Sequence, residues 1–160
     1  MIQHIKINRA TSKDSTVVAE MAGELLNEIM SGVGVKAFNF NLGETIARAV
    51  SFIDEEKYFV FMARNTEVGN EVGFITLYES YALYAEGVFG TIPELYVRPE
   101  YRSHDVGKRL IDSAKAFGAA RGWKRLEVTT PPLPQFERTL RFYEKESFSV
   151  SGGRKLKVLL

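Results

Sequence analysis

The chain has no cysteine. That excludes disulfides, thiolate metal sites and a thiolate nucleophile. Histidine is almost as scarce: His4 and His104 are the only two and lie far apart in sequence. A histidine metal centre or a Ser-His-Asp triad is thus hard to build, and no metal is expected. No run reaches the roughly 18 apolar residues of a membrane span. The first fifteen residues, MIQHIKINRATSKDS, lack the apolar stretch of a secretory signal, so a cytoplasmic location is expected. The 21 Lys and Arg nearly cancel the 20 Asp and Glu, and they are spread along the chain. No basic block points to nucleic acid and no acidic tail to a basic partner. There is no internal repeat, low-complexity tract or Pro/Gly/Ser linker. With 160 residues the chain suits one domain, 1–160, around one core.

What is present is periodic. Residues 2–9 (IQHIKINR) alternate like a strand. Thr11–Ser15 is rich in capping types, and Val17, Met21, Leu25 and Ile29 then mark one helix face, which SGVGV (31–35) ends. Leu42, Ile46, Ala49, Val50 and Ile53 predict a second helix after a loop at 36–41. Tyr58–Arg64 and Glu71–Tyr78 read as two strands joined by a turn at 65–70, with Ser80–Gly87 ambiguous. Val88–Val97 reads as a strand interrupted by Pro93, where a bulge or broken pairing is expected. Val106, Leu110, Ile111, Ala114 and Phe117 mark a helix stopped by Gly122. Arg125–Thr130 is a short strand, PPLP (131–134) a break, and Phe136, Leu140 and Tyr143 share the face of a last helix. Phe148–Val150 and Lys155–Leu160 are predicted as strands joined through Gly152–Gly153. The predicted order is β-α-α-β-β-β-α-β-α-β-β.

The segment with chemical content is IPELYVRPEYRSHDVGKRLIDSAKAFGAARGW (92–123). A strand ends at Val97, a loop follows over Arg98–Asp105, and a helix begins near Val106. A helix start offers unpaired amides and the positive end of its dipole, a natural seat for a phosphate. Gly107 lets backbone approach such a ligand closely, and Arg102 and Lys108 add positive charge. Local physics alone equally allows an ordinary strand-to-helix turn with Asp105 as N-cap.

ELYVRPEYRSHDVGKRLI (94–111) resembles the coenzyme A-binding signature of the GNAT superfamily of N-acetyltransferases, Arg/Gln-x-x-Gly-x-Gly/Ala after a strand. Leu95-Tyr96-Val97 and Pro99-x-Tyr101-Arg102 match the approach, Arg102 the first signature position and Gly107 the last. A second block, RTLRFYEKESF (138–148), is similar to the family's Phe-Tyr-Glu-Lys-x-Gly-Phe stretch. The resemblance covers nearly the whole chain. It implies an α+β fold: a mixed, mostly antiparallel central sheet of about seven strands, with about four helices on both faces. Two positions depart from the pattern. Asp105 replaces the middle signature glycine, and a carboxylate beside a pyrophosphate costs electrostatic energy unless it turns away to cap the helix. Ser147 replaces the glycine before the last Phe. Phe136 stands near the place of a frequent Asn that contacts the coenzyme arm.

The resemblance further implies an N-acetyltransferase that moves an acetyl group from acetyl-coenzyme A to a primary amine of a small molecule, by direct attack in a ternary complex. The backbone near Leu95 holds the acetyl carbonyl, Tyr96 and Val97 continue the strand that pairs with pantetheine, and the amides of Arg102, Ser103, His104, Asp105, Val106, Gly107 and Lys108 hold the pyrophosphate. Glu94 is the candidate base, since an alkyl ammonium (pKa about 10.4) must first lose a proton. Strand alternation alone also allows it as a solvent-facing residue. Tyr143 is the candidate acid for the departing thiolate, and periodicity alone also allows it as a core aromatic. Phe38, Phe40, Tyr78, Glu79, Tyr81, Tyr84, Glu86 and Phe89 suit a small cationic acceptor or, equally, surface and packing. The family's habit implies a homodimer. A dinucleotide site is rejected, because Gly32 and Gly34 follow a helix and lack a third glycine. The rivals are a non-catalytic coenzyme A-binding or interaction module on the same fold, and an acyltransferase with a bulkier donor.

Overall fold

The computed structural model describes residues 4–160, so residues 2 and 3 of the expected first strand lie outside the described residues. The chain divides into two units, one ending at Thr129 and one spanning Thr130–Leu160. The first contains β1 (Ile5–Arg9), α1 (Ser15–Val33), α2 (Leu42–Asp54), β2 (Phe59–Asn65), β3 (Asn70–Ala82), β4 (Gly87–Ile92), β5 (Leu95–Val97), α3 (Val106–Ala120) and β6 (Leu126–Val128). The second contains α4 (Glu137–Lys145). The predicted helices all form, each within a few residues of its periodic run. Gly34 (φ 75°) closes α1, and the Asn41 side chain caps α2 by accepting from the Glu44 amide at 2.9 Å.

The six strands form one mixed sheet in the order β1-β2-β3-β4-β6, with β5 attached to β3. Among the described residues only the β4–β6 pairing is parallel. Strand alternation gives the sheet two apolar faces. Val60, Met62, Phe74 and Tyr96 form a core cluster with Val18 and Met21 of α1. On the opposite face Phe59 and Phe61 meet Phe117 of α3, with ring centroids 4.9 and 5.6 Å apart. Helices therefore cover both sides of the sheet.

Two sequence expectations change in detail. The run Val88–Val97 is two strands. β4 pairs with Tyr78–Ala82 of β3 and β5 with Gly73–Ile75, leaving Pro93 and Glu94 outside both ladders. Proline lacks the N–H that a continuous ladder needs there. The strands expected at Phe148–Val150 and Lys155–Leu160 do not form, so among the described residues the sheet has six strands rather than about seven. Leu156, Val158 and Leu160 alternate, but they are exposed. Alternation without a partner edge does not make a strand, and Gly152 (φ 81°) adopts a backbone that ladders exclude.

Candidate active site

The split between β4 and β5 opens the sheet. β6 pairs with Gly90–Ile92 of β4 and goes no further, so β5 has a ladder only on its β3 side. The Thr76 amide donates to the Glu94 carbonyl at 2.9 Å and the Arg98 amide to the Val72 carbonyl at 2.8 Å. Antiparallel alternation between these two bonds makes Phe74–Tyr96 a hydrogen-bonded pair and turns the amides of Leu95 and Val97 away from β3. Gly73 permits this tight pairing, since a Cβ there would stand 2.7 Å from the Tyr96 carbonyl.

Glu94 sits at the mouth of the split. Thr76, 1% exposed in the middle of β3, holds it at two points. The Thr76 hydroxyl accepts from the Glu94 amide at 3.0 Å and donates to the carboxylate Oε1 at 2.6 Å. The Tyr58 phenol also interacts with that carboxylate. Burial raises the Glu94 pKa above the ordinary carboxylate value, while the bonds from Thr76 and Tyr58 pull it back. Burial and the nearby Glu94 charge push the Tyr58 phenol well above its usual range. Tyr58 lies near-parallel to Tyr78 (6.2 Å, 9°) and packs on Phe52 of α2 at 5.3 Å. A half-buried carboxylate with the Tyr58 phenol against it can accept a proton and can attract a cation.

Beyond β5 the chain makes a short 3-10 turn at Pro99–Tyr101 and four turn residues before α3. Ser103 (φ 64°) and Asp105 (φ 63°) are both left-handed, with His104 between them. The first intrahelical bond runs from the Arg109 amide to the Asp105 carbonyl at 3.0 Å. The amides of Val106 and Gly107 thus have no intrahelical acceptor and carry the positive end of the helix dipole. Asp105 holds the N-cap place without a side-chain cap bond, contrary to the capping role allowed from sequence. Its position reflects backbone conformation, because short polar side chains tolerate the left-handed region.

The Arg102 guanidinium is engaged away from this loop. Its Nε donates to the Val97 carbonyl at 2.7 Å, its Nη1 meets Glu28 of α1 at 2.8 Å, and it lies over the Tyr96 ring. Arg98 pairs with Glu24 on the same helix at 2.9 Å, and the Tyr96 hydroxyl donates to Glu24 at 3.3 Å. Burial, reinforced by Glu24, pushes the Tyr96 phenol up to about 12. These pairs tie β5 and its following loop to α1. Lys108 is paired with Asp112 one turn along α3.

The acceptor residues named from sequence do not gather in one pocket. Tyr78 shares the face of Glu94. Glu79 and Tyr81 point to the opposite face, where Glu79 accepts from Arg121 at 2.7 Å, Trp123 at 3.0 Å and Tyr81 at 3.1 Å. The Arg121 bond holds the Glu79 carboxyl below its ordinary range. Tyr84 and Phe89 flank Arg125, and Glu86 occupies a left-handed turn position. Phe38 and Phe40 line a cavity of about 390 Å³ with Asn27, Met30, Lys36 and Glu44. Sequence reading passed over Thr76 and Tyr58. The available signal for Thr76 was a hydroxyl inside the apolar run GFITLY (73–78).

In the second unit Phe136 is the N-cap of α4, and Tyr143 is buried, with Phe142 and Phe148 each 5.3 Å from its ring. Burial pushes its phenol well above the usual range, so it stays protonated at neutral pH. The C-terminus of α4 closes with two bonds, Ser147 amide to Glu144 carbonyl (3.1 Å) and Phe148 amide to Tyr143 carbonyl (3.0 Å). With Ser147 at φ 76°, this is a Schellman motif whose apolar contact is the Tyr143–Phe148 pair.

Among the described residues no group of three or more His, Asp or Glu could hold a metal ion, and no helix is long and apolar enough to cross a membrane.

Known proteins are similar to this chain in sequence and in fold. A sequence model of the acetyltransferase (GNAT) domain matches residues 54–150. The chain is 27% identical over 154 residues to the aminoalkylphosphonate N-acetyltransferase of Salmonella typhimurium strain LT2, covering 96% of this chain and 91% of that protein. Its structure is similar to an aminoglycoside acetyltransferase from an uncultured soil metagenomic sample, solved with trehalose (TM-score 0.74, 19% identity, 100% of both chains). It is similar also to the ribosomal-protein-alanine N-acetyltransferase of Brucella melitensis biovar Abortus 2308 (TM-score 0.72, 19% identity, 97% of this chain and 99% of that one). At these identities the structural likeness is one of fold, and the two proteins carry different acceptors in their names. The matched domain spans more than half of the 160 residues, so the chain belongs to the GNAT family of acetyltransferases.

Proposed function

We propose that this acetyltransferase uses acetyl-coenzyme A to acetylate the primary amine of a small molecule by direct attack, within one catalytic domain over residues 1–160. The match at 54–150 runs across the boundary between the two units. The observation that carries the reading is the Glu94 carboxylate, half-buried at the β4–β5 split, held by Thr76 and contacted by Tyr58.

The coenzyme supplies an activated acetyl thioester, whose C–S bond breaks as the bond to nitrogen forms. The residues present suit it. The amides of Leu95 and Val97 on the open edge of β5 are placed to pair with an extended arm, as an added strand does. The Leu95 amide is the proposed donor to the acetyl oxygen. The amides from Ser103 to Lys108 are the proposed seat of the pyrophosphate, the Arg102 amide being engaged by the Pro99 carbonyl at 3.2 Å. The Arg102 side chain instead anchors the loop to α1. Glu94 takes the proton that the acceptor ammonium sheds before it can attack. Tyr143, protonated at neutral pH, is the proposed donor to the leaving sulfur, on the strength of its motif. Phe136 is the proposed neighbour of the coenzyme arm on the same ground. The relative's name makes aminoalkylphosphonates the first acceptors to try, and a homodimer remains the proposed assembly.

The test is coenzyme thiol release over a panel of aminoalkylphosphonates, diamines, aminoglycosides and peptide N-termini, after calorimetry with acetyl-coenzyme A. Micromolar binding and turnover of a small amine are expected. Glu94→Gln should lower kcat/KM by about 10²–10⁴-fold, and Tyr143→Phe should lower kcat. Turnover confined to peptide N-termini, or unchanged in Glu94→Gln, would overturn the reading.

A further inference from the structure

Glu94 has no ladder position of its own, yet it is held at both ends. In the antiparallel pattern the Glu94 amide should donate to the Thr76 carbonyl. It donates to the Thr76 hydroxyl at 3.0 Å instead. The same oxygen, through its single proton, donates to the Glu94 carboxylate at 2.6 Å. One hydroxyl therefore spends both of its capacities on one residue, fixing the backbone at the split and the side chain that projects from it. A buried hydroxyl needs only one partner to be satisfied. This one closes a ring that selects a single carboxylate rotamer. Oε1 becomes a committed acceptor of the Thr76 proton.

We infer that Thr76 is a positioning residue for acetyl transfer: its hydroxyl holds the Glu94 backbone and carboxylate together and so aims the carboxylate's free lone pairs. This rests on the assignment of Glu94 as base. Among the described residues, the groups that interact with this carboxylate are Thr76 from β3 and Tyr58 from the turn before β2. Burial alone would raise its pKa further, and both hydroxyls oppose that. Removing the Thr76 hydroxyl therefore moves the Glu94 titration to higher pH.

The experiment uses the full chain with Thr76→Val, of nearly equal shape, and Thr76→Ser, which restores the hydroxyl. Carboxyl 13C NMR, assigned with Glu94→Gln, follows the Glu94 titration without any substrate. Thiol release gives the pH profile of kcat/KM. In Thr76→Val the NMR titration and the acid limb should move up together. The kcat should fall roughly ten-fold or more, with KM for acetyl-coenzyme A unchanged, and Thr76→Ser should recover both. If Thr76→Val fails to fold, Thr76→Ala takes its place, and a folded Thr76→Ala that leaves both quantities at the wild-type position overturns the inference. So does a folded Thr76→Val whose Glu94 titration and acid limb stay in place. A titration that moves while Glu94→Gln retains full turnover overturns the base assignment itself, and the inference with it.

Discussion

Asp105 and Ser147 stand where the family has glycine, and both adopt left-handed backbones, φ 63° and 76°. The family's glycines at these places are thus conformational requirements that this chain meets at a cost, since a non-glycine residue there loses roughly 1–2 kcal/mol. Asp105 adds a second cost, because its carboxylate lies at the start of the proposed pyrophosphate seat without a capping bond. Asp105→Gly should raise the thermal midpoint by the equivalent of about 1 kcal/mol. It should also tighten acetyl-coenzyme A about five-fold, a gain that shrinks with added salt. Calorimetry at two salt concentrations reads both, and unchanged affinity would mean the phosphates bind elsewhere. Glu94 shows the opposite balance. Its folded-state pKa lies above the usual value, so the fold favours its protonated form. That contribution to stability is complete below the unfolded pKa and is lost as pH rises through the folded one. The base is therefore ionised at some expense of stability, and the acid limb of activity should sit above the usual carboxylate pKa of 4.5.

Elements were legible where periodicity was long. The faces marked by Val17–Ile29, Leu42–Ile53 and Val106–Phe117 gave α1, α2 and α3 because an amphipathic stripe leaves little choice. Pro93 correctly announced interrupted pairing, since a missing donor is a local fact. What it could not announce was Thr76, 17 residues earlier, because cross-strand partners depend on register. The aromatic and acidic acceptor set failed for the same reason. Tyr78 and Glu79 are adjacent in sequence and on opposite faces in the sheet. At the other end of the chain, α4 is closed by a Schellman motif with serine in the glycine place. Ser147→Gly should relieve the left-handed backbone, raising stability by about 1 kcal/mol. It should leave kcat unchanged, as read by denaturant unfolding and by thiol release. A loss of stability would mean that the Ser147 side chain has a partner that outweighs the backbone cost.

The sheet of the first unit is closed on its α3 face by Trp123, which lies in a slot made by two glycines. A Cβ at Gly90 would collide with the indole and stand 2.6 Å from Leu126, and one at Gly118 would stand 2.6 Å from the same ring. Gly90→Ala should therefore destabilise the protein by about 1–3 kcal/mol through overpacking, lowering the denaturant midpoint. An unchanged midpoint would show that the indole can shift at no cost. The indole is further fixed by its bond to Glu79 and by edge contact with Phe117 at 5.5 Å. Since the chain has one tryptophan, its emission is a single-site optical reporter of the joint between β4 and α3. Unfolding followed by fluorescence reads residues up to Thr129 alone, whereas circular dichroism also counts α4. Any gap between the two curves measures how far the chain departs from one cooperative transition.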